Sequence, residues 1–357
     1  MSIELNNNRY AASFPHIDEA ALEEISKIKV RNLGGGVIVF ENALNITSES
    51  LKSVSAWIDK NAQEAHEQRW TFKKDEAGNT YALNEDHNKF SLEQLREVPV
   101  RVLQPVRDNT EPAMVDLFKY WEDQIYKCVI KYVDEFPMVL PTLWWRSRGH
   151  IIRYDEGMYL GIHNDNDSNY RATEGKRYIP KGQMQIRQVI AVSAYMNDCV
   201  SDSSKLDGTN YTGGELFFPY LDIEYAPKMG DVVIFPCNFY ATHGVKTVKS
   251  GVRYGYLEFM SQGSPHEEVM VFLREWNELT DWCYPHWMDN IFDDYKKYCL
   301  YVEYQKDQQA LHKKPNPLFQ NRTLEGDEGL KKAYDSKKVV VDNNLRGKIS
   351  VTEADKL

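Results

Sequence analysis

The sequence predicts an α+β fold, a jelly-roll (double-stranded β-helix) core buttressed by N-terminal and C-terminal helices. Three observations carry this. Apolar residues recur at helical spacing through the first part of the chain. From Leu143 the texture changes to short β-rich runs broken by Gly, Pro and Asn/Asp, and helical spacing returns after Pro265. The expected division is a helical N-terminal buttress over 1–142, the β core over 143–262, and helices with a polar tail over 263–357.

The N-terminal part opens with an acidic helix near Ile17 to Ile28. The run Gly34-Gly35-Gly36-Val37-Ile38-Val39-Phe40 then reads as a short buried strand. Thr47 or Ser48 followed by Glu49 starts a helix with Leu51, Val54, Trp57 and Ile58 on one face. A longer helix carries Met114, Leu117, Phe118, Trp121, Ile125, Cys128, Val129 and Tyr132. Thr71 to Asn88 is polar and reads as a loop or weak hairpin. Strands are expected at Gly149 to Tyr154, Met158 to His163, Arg187 to Met196, Glu215 to Phe218, Asp231 to Phe235 and Val252 to Met260. Further on, Val269, Phe272, Leu273 and Trp276 share a helix face, and an aromatic-rich segment runs from Trp282 to Tyr304. The lysine-rich tail holds one apolar island, Val339-Val340-Val341.

With 357 residues, 42% hydrophobic and 27% charged, the chain can bury one large core or two modest ones. No leader pattern and no run of membrane-spanning length occurs, so a soluble cytoplasmic protein without a membrane partner is expected. Five widely spaced cysteines with no C-x-x-C read as reduced thiols, not as a disulfide framework or zinc knuckle. A net charge of -10 argues against nucleic acid as a partner. Oligomeric state is not legible.

The chemistry is concentrated in three places. His163-Asn164-Asp165 ends a strand-like run, and His243 follows a second β block. Alternate residues of a strand point to the same side, so His163 and Asp165 can converge on one metal. Two imidazoles and a carboxylate are the ligand set of non-haem Fe(II) oxygenases, since they occupy one face of an octahedron and leave the other face for reactants. Beyond Gly251, Arg253 stands in a strand-like run where its guanidinium can take a carboxylate bidentately. The bland alternative for Arg253 is an ion pair with a neighbouring acid such as Glu258. The other histidines have no partner spacing, and His150 alone is expected near the pocket.

An ordered series of motifs accompanies these residues: Arg153-Tyr154, Gly157-Met158-Tyr159, His163-x-Asp165, Arg187, Tyr195-Met196-Asn197-Asp198 and Gly213-Gly214-Glu215-Leu216-Phe217-Phe218-Pro219. Pro227-Lys228-Met229-Gly230-Asp231, Phe235-Pro236, His243-Gly244-Val245 and Gly251-Val252-Arg253-Tyr254 complete it. In this the chain resembles the prolyl 4-hydroxylase-like branch of the Fe(II)/2-oxoglutarate dioxygenases. The resemblance implies that His163, Asp165 and His243 bind Fe(II), that Arg253 and Tyr195 hold the distal carboxylate of 2-oxoglutarate, and that Tyr154 and Tyr159 line the cosubstrate pocket. It also implies O2 as co-reactant and ascorbate as a stimulant. In one respect the chain departs: the family commonly has Tyr three residues before the first ligand histidine, whereas Tyr159 stands four before His163. Asp at the carboxylate position disfavours halogenation.

The function expected on these grounds is oxidation of a C–H bond in a polar small molecule of amino-acid-derived type, by hydroxylation or by desaturation or ring closure, with release of succinate and CO2. A peptidyl, prolyl-type hydroxylase is the alternative, and a catalytically silent β-sandwich binding module a further one. A lid is expected at Asn166 to Gly182, where Arg171, Lys176 and Arg177, with Arg187 nearby, are candidate substrate contacts. The insertion from Asp198 to Thr212 reads as a decoration of the substrate domain.

Overall fold

Two antiparallel sheets face each other across an apolar layer, and helices cover the outer face of the larger sheet. The computed structural model describes residues 13–69, 71–83, 87, 89–96, 100–102, 110–147, 149–165, 187–262, 285–288 and 290–312. Among these, the larger sheet has nine strands, in the order Lys29–Gly34, Val37–Glu41, Val232–Pro236, Arg187–Tyr195, Arg253–Gln262, Trp145–Ser147, Pro285–Trp287. His150–Tyr154 also pairs with Arg253–Gln262, and Val100–Val102 pairs with it. The smaller sheet runs Ile223–Tyr225, Leu216–Phe218, His243–Val245, Leu160–His163.

Strand alternation assigns each residue of the larger sheet to one of two cores. Ile38, Phe40, Ile190, Val192, Ala194, Val232 and Ile234 face the helices, whereas Val37, Val39, Ala191, Tyr195, Val233 and Phe235 face the smaller sheet. Because both faces are covered, these strands read as continuous apolar runs and not as alternating ones. The helix Pro112–Glu135 starts on Pro112, whose missing N–H belongs to the first turn, and lays Phe118, Trp121, Ile125, Val129 and Tyr132 on the outer face.

The N-terminal part holds more strand than its sequence predicts, and it does not merely lean on the core. Val37–Glu41 pairs with Val232–Pro236, and Val100–Val102 with His150–Tyr154, so backbone pairing crosses the expected boundary at 142. Four successive buried residues, Val37 to Phe40, need cover on both faces and a partner on each edge. Thr71–Lys74 and Thr80–Leu83 form the hairpin, and Lys89–Ser91 adds a third strand. Helix Ile291–His312 lies in the aromatic-rich segment. The helix expected after Pro265, the lid at 166–182 and the Val339 island lie outside the described residues. Among the described residues no helix is long and apolar enough to cross a membrane.

Candidate active site

His163 ends one strand of the smaller sheet, and His243 begins its neighbour directly opposite. The next matched pair is Val245 with Leu160, so three steps on one strand oppose two on the other. That bulge reverses the alternation, and Leu160 turns to the same side as His163. Asp165 follows the strand end. Its Oδ1 lies 3.4 Å from His163 Nε2 and its Oδ2 3.6 Å from His243 Nε2, with the imidazole centroids 4.4 Å apart. One donor atom from each residue lies within 4.8 Å of the others.

The donor set fits a first-row metal ion. His163 Nδ1 lies 2.8 Å from the Gly161 carbonyl and His243 Nδ1 3.1 Å from the Ala241 carbonyl. A carbonyl only accepts, so each Nδ1 donates, and in the neutral ring that leaves Nε2, on the side of Asp165, as the lone pair for a metal. Burial holds His243 below the ordinary imidazole range, against the pull of Asp165, and the ring stays neutral as a ligand requires. Adjacent ligands of an ion bound at about 2.1 Å stand roughly 3 Å apart, close to the separations here.

Arg253 faces the same space from the larger sheet. It is 3% exposed, and among the described residues it has no carboxylate within ion-pair distance. Tyr154, its cross-strand neighbour, sets its ring 4.6 Å from Cζ, and the Tyr195 ring lies at 5.2 Å. Burial opposes the guanidinium charge, but the oxygens of Tyr211, Tyr154 and Tyr195 favour it and its pKa is raised overall. Among the described residues, Arg253 Nε and the hydroxyls of Tyr195 and Tyr211 are buried without a well-formed hydrogen bond. A buried cation among unpaired donors is a site for an anion. Glu258 is not its partner. It stands five residues on, hence on the opposite face, where it takes Arg146 at 2.9 and 3.0 Å.

One narrow cavity of about 40 Å³ joins the two features. Its walls are His163, Asp165, His243, Arg253, Tyr154 and Ser193, with Ile152, Leu160, Leu216, Phe235 and Val245 as apolar lining. Tyr159, expected beside the cosubstrate, instead lines a surface groove with Gly161, Phe217 and Lys246, because the bulge gives the inward position to Leu160. His150 is buried near Phe259, with ring centroids 6.4 Å apart, and is not part of the cavity wall. Arg187 begins its strand opposite Gln262, its side chain being outside the described residues, as are Arg171, Lys176 and Arg177. Tyr211 was not singled out from the sequence. The signal available was that its insertion leaves after Asn197-Asp198 and returns at Gly213-Gly214, so its last residues come back to the site they left.

A family model described as the 2OG-Fe(II) oxygenase superfamily matches residues 149–260. Solved structures similar to the chain include a viral collagen prolyl hydroxylase from Paramecium Bursaria Chlorella virus-1 in a 2OG complex (13% identity, TM-score 0.35, 64% of this chain and 97% of that one). Others are a Trichoplax adhaerens prolyl hydroxylase in complex with a hypoxia inducible factor peptide fragment (12%, 0.38, 68% and 87%) and a Pseudomonas putida prolyl-4-hydroxylase (10%, 0.36, 69% and 98%). Comparison with curated proteins gives no match. Residues 149–260 are thus a 2OG-Fe(II) oxygenase domain, in an oxidoreductase of the superfamily that works with Fe(II), 2-oxoglutarate and O2.

Proposed function

We propose that His163, Asp165 and His243 hold Fe(II), that Arg253 with Tyr154 and Tyr195 holds the distal carboxylate of 2-oxoglutarate, and that the enzyme oxidises a C–H bond of a polar small molecule. The observation that carries this reading is a buried guanidinium with no counter-ion among the described residues, on the wall of the cavity that also holds the triad. Iron bound there supplies the chemistry that couples oxidative decarboxylation of 2-oxoglutarate by O2 to substrate oxidation. The chain's own residues present bare Nε2 lone pairs and a carboxylate on one side, fix the cosubstrate's far end on the other, and exclude water with Ile152, Leu216, Phe235 and Val245. The 1–142 segment acts as a buttress and the 143–262 segment as the catalytic core.

The narrowness of the cavity among the described residues supports a small substrate, of amino-acid-derived type. A peptidyl hydroxylase is the second reading. In its favour, Ile162 beside one triad histidine and Phe239 and Tyr240 shortly before the other are 62%, 76% and 52% exposed, an apolar rim suited to peptide side chains. The test is an anaerobic titration with Fe(II) and 2-oxoglutarate, watching for the weak visible charge-transfer band of a chelated 2-oxo acid. The band should appear in the wild type, vanish in His243→Ala and weaken in Arg253→Ala. Absence of the band in folded wild-type protein overturns the reading. Succinate release stimulated by amino-acid-like molecules or by peptides then separates the two substrate classes.

A further inference from the structure

The insertion after Asn197 is pinned at both ends beside Arg253. Asn197, 1% exposed, donates through Nδ2 to the carbonyls of Thr209 (2.9 Å) and Val252 (2.8 Å), and its Oδ1 accepts from the Tyr254 N–H (3.1 Å). One amide side chain therefore ties the returning insertion to the residues on both sides of Arg253. The Tyr211 N–H donates to the Asp198 carbonyl at 3.0 Å, and Thr212 pairs with Ser250. Tyr211 is thus placed by backbone contacts, not left to its own rotamer.

Gly214, at φ +68°, marks how closely the ring and the arginine approach. A Cβ there would stand 3.0 Å from Tyr211 Cε2 and 3.1 Å from Arg253 Cδ, so both side chains pack over one glycine. Both Tyr211 and Tyr195 are fully buried with their hydroxyls beside the Arg253 guanidinium; Tyr195 also lies by Ser193, whereas Tyr211 has no acceptor for its hydrogen among the described residues. Arg has no acceptor. A hydroxyl beside it turns lone pairs toward the N–H groups, which leaves its hydrogen in need of an acceptor that, for Tyr211, no described residue provides. An anion held by the guanidinium meets that need for hydroxyl and arginine together.

We propose that Tyr211 is a further cosubstrate-binding residue, donating its hydroxyl hydrogen to the carboxylate that Arg253 holds, so that the insertion 198–212 is part of the dicarboxylate site. This rests on the reading of Arg253 given above. It assigns the insertion to cosubstrate selection, in place of a role in holding substrate.

The experiment is calorimetric titration of full-length protein loaded with Mn(II), which supports no turnover. The probes are 2-oxoglutarate and 2-oxopentanoate, equal in chain length but different in that the latter lacks the distal carboxylate. Wild type should prefer 2-oxoglutarate by more than tenfold, and equal affinity for both would overturn the Arg253 reading and this proposal with it. Given that preference, Tyr211→Phe keeps the ring over Gly214 and should weaken 2-oxoglutarate by on the order of tenfold to a hundredfold, with 2-oxopentanoate within twofold of wild type. An unchanged 2-oxoglutarate affinity, or an equal loss for both acids, would overturn the role of Tyr211 while leaving that of Arg253 intact. If circular dichroism shows the variant unfolded, 3-fluorotyrosine placed at 211 gives a second readout. Its fluorine resonance should shift with 2-oxoglutarate and not with 2-oxopentanoate, and the same response to both would sink the proposal.

Discussion

Arg253 shows how much a single position in a strand decides. Along Arg253–Gln262, Leu257 and Phe259 pack toward the smaller sheet and Tyr254, Tyr256 and Met260 toward the helices, so Arg253 meets Tyr154 while Glu258 meets Arg146. The stacked Tyr154 ring contributes a cation–π contact of about 0.5–2 kcal/mol. Tyr154→Leu should accordingly weaken 2-oxoglutarate binding by about threefold to thirtyfold, whereas Tyr159→Leu should leave it within about twofold, both read calorimetrically on Mn(II)-loaded protein. A larger effect from Tyr159 than from Tyr154 would reverse the assignment made from the bulge. The triad's convergence was legible because His163 and Asp165 obey the simple two-residue period. Tyr159 was misplaced since that period breaks between Leu160 and His163, and a bulge set by pairing with His243–Val245 leaves no mark in composition. Tyr211 was hidden for a related reason: its position depends on Asn197 fastening the insertion, a long-range contact with no local signature.

On the scale of elements, the outer face of the larger sheet meets the helices through a buried charge cluster. Arg146 holds Glu258 bidentately and donates to the Glu122 carbonyl at 2.7 Å. The Glu122 carboxylate accepts from Tyr256 Oη at 2.8 Å and from the Ser13 N–H at 2.7 Å. Two buried carboxylates thus lie in one cluster with a single guanidinium, and burial, opposed by Arg146 and reinforced by Glu122, pushes Glu258 up to about 7. A carboxyl raised in the folded state contributes stability that is full below its unfolded pKa and is lost as pH rises through about 7. Glu258→Gln imitates the protonated form, so the variant should match wild type at acidic pH and become the more stable of the two above neutrality. Denaturant melts on both sides of that value check it. A wild type that gains stability over the variant as pH rises would show that Glu258 is charged throughout. The helices Ser48–Arg69 and Pro112–Glu135 were legible as helical stripes, and strands such as Val37–Glu41, Arg187–Tyr195 and Val232–Pro236 as apolar runs, whereas short strands such as Lys29–Gly34 and Val100–Val102 were not. The cluster was not, because polar residues buried between elements look in sequence like solvated ones. Glu122 stands among the apolar positions of its helix with nothing to mark it.

For the whole molecule, the question is whether the β core can stand without the N-terminal segment. Strand Val37–Glu41 supplies the outer partner of Val232–Pro236, and the helices Ser48–Arg69 and Pro112–Glu135 cover Ile190, Val192, Ala194, Val232 and Ile234. A chain beginning at residue 143 would leave those side chains in water and bare the edge of Val232–Pro236, a template for aggregation. It would also lose the burial of Ile38, Phe40, Val54, Ile58, Phe118, Trp121, Ile125 and Val129, all fully buried. At roughly 1.5–3 kcal/mol for each large apolar side chain, the loss rivals or exceeds the roughly 5–15 kcal/mol net stability of an ordinary domain. The 143–357 chain, expressed alone, should therefore be insoluble or bind a hydrophobic dye without a cooperative melting transition, although it retains His163, Asp165, His243 and Arg253. Co-expression with the 1–142 segment as a separate chain should restore a soluble complex and the 2-oxoglutarate affinity of the intact protein, because pairing and packing, not the covalent link at 142, carry the dependence. A soluble, cooperatively melting 143–357 chain would establish the opposite, an autonomous core to which the first 142 residues are an attachment.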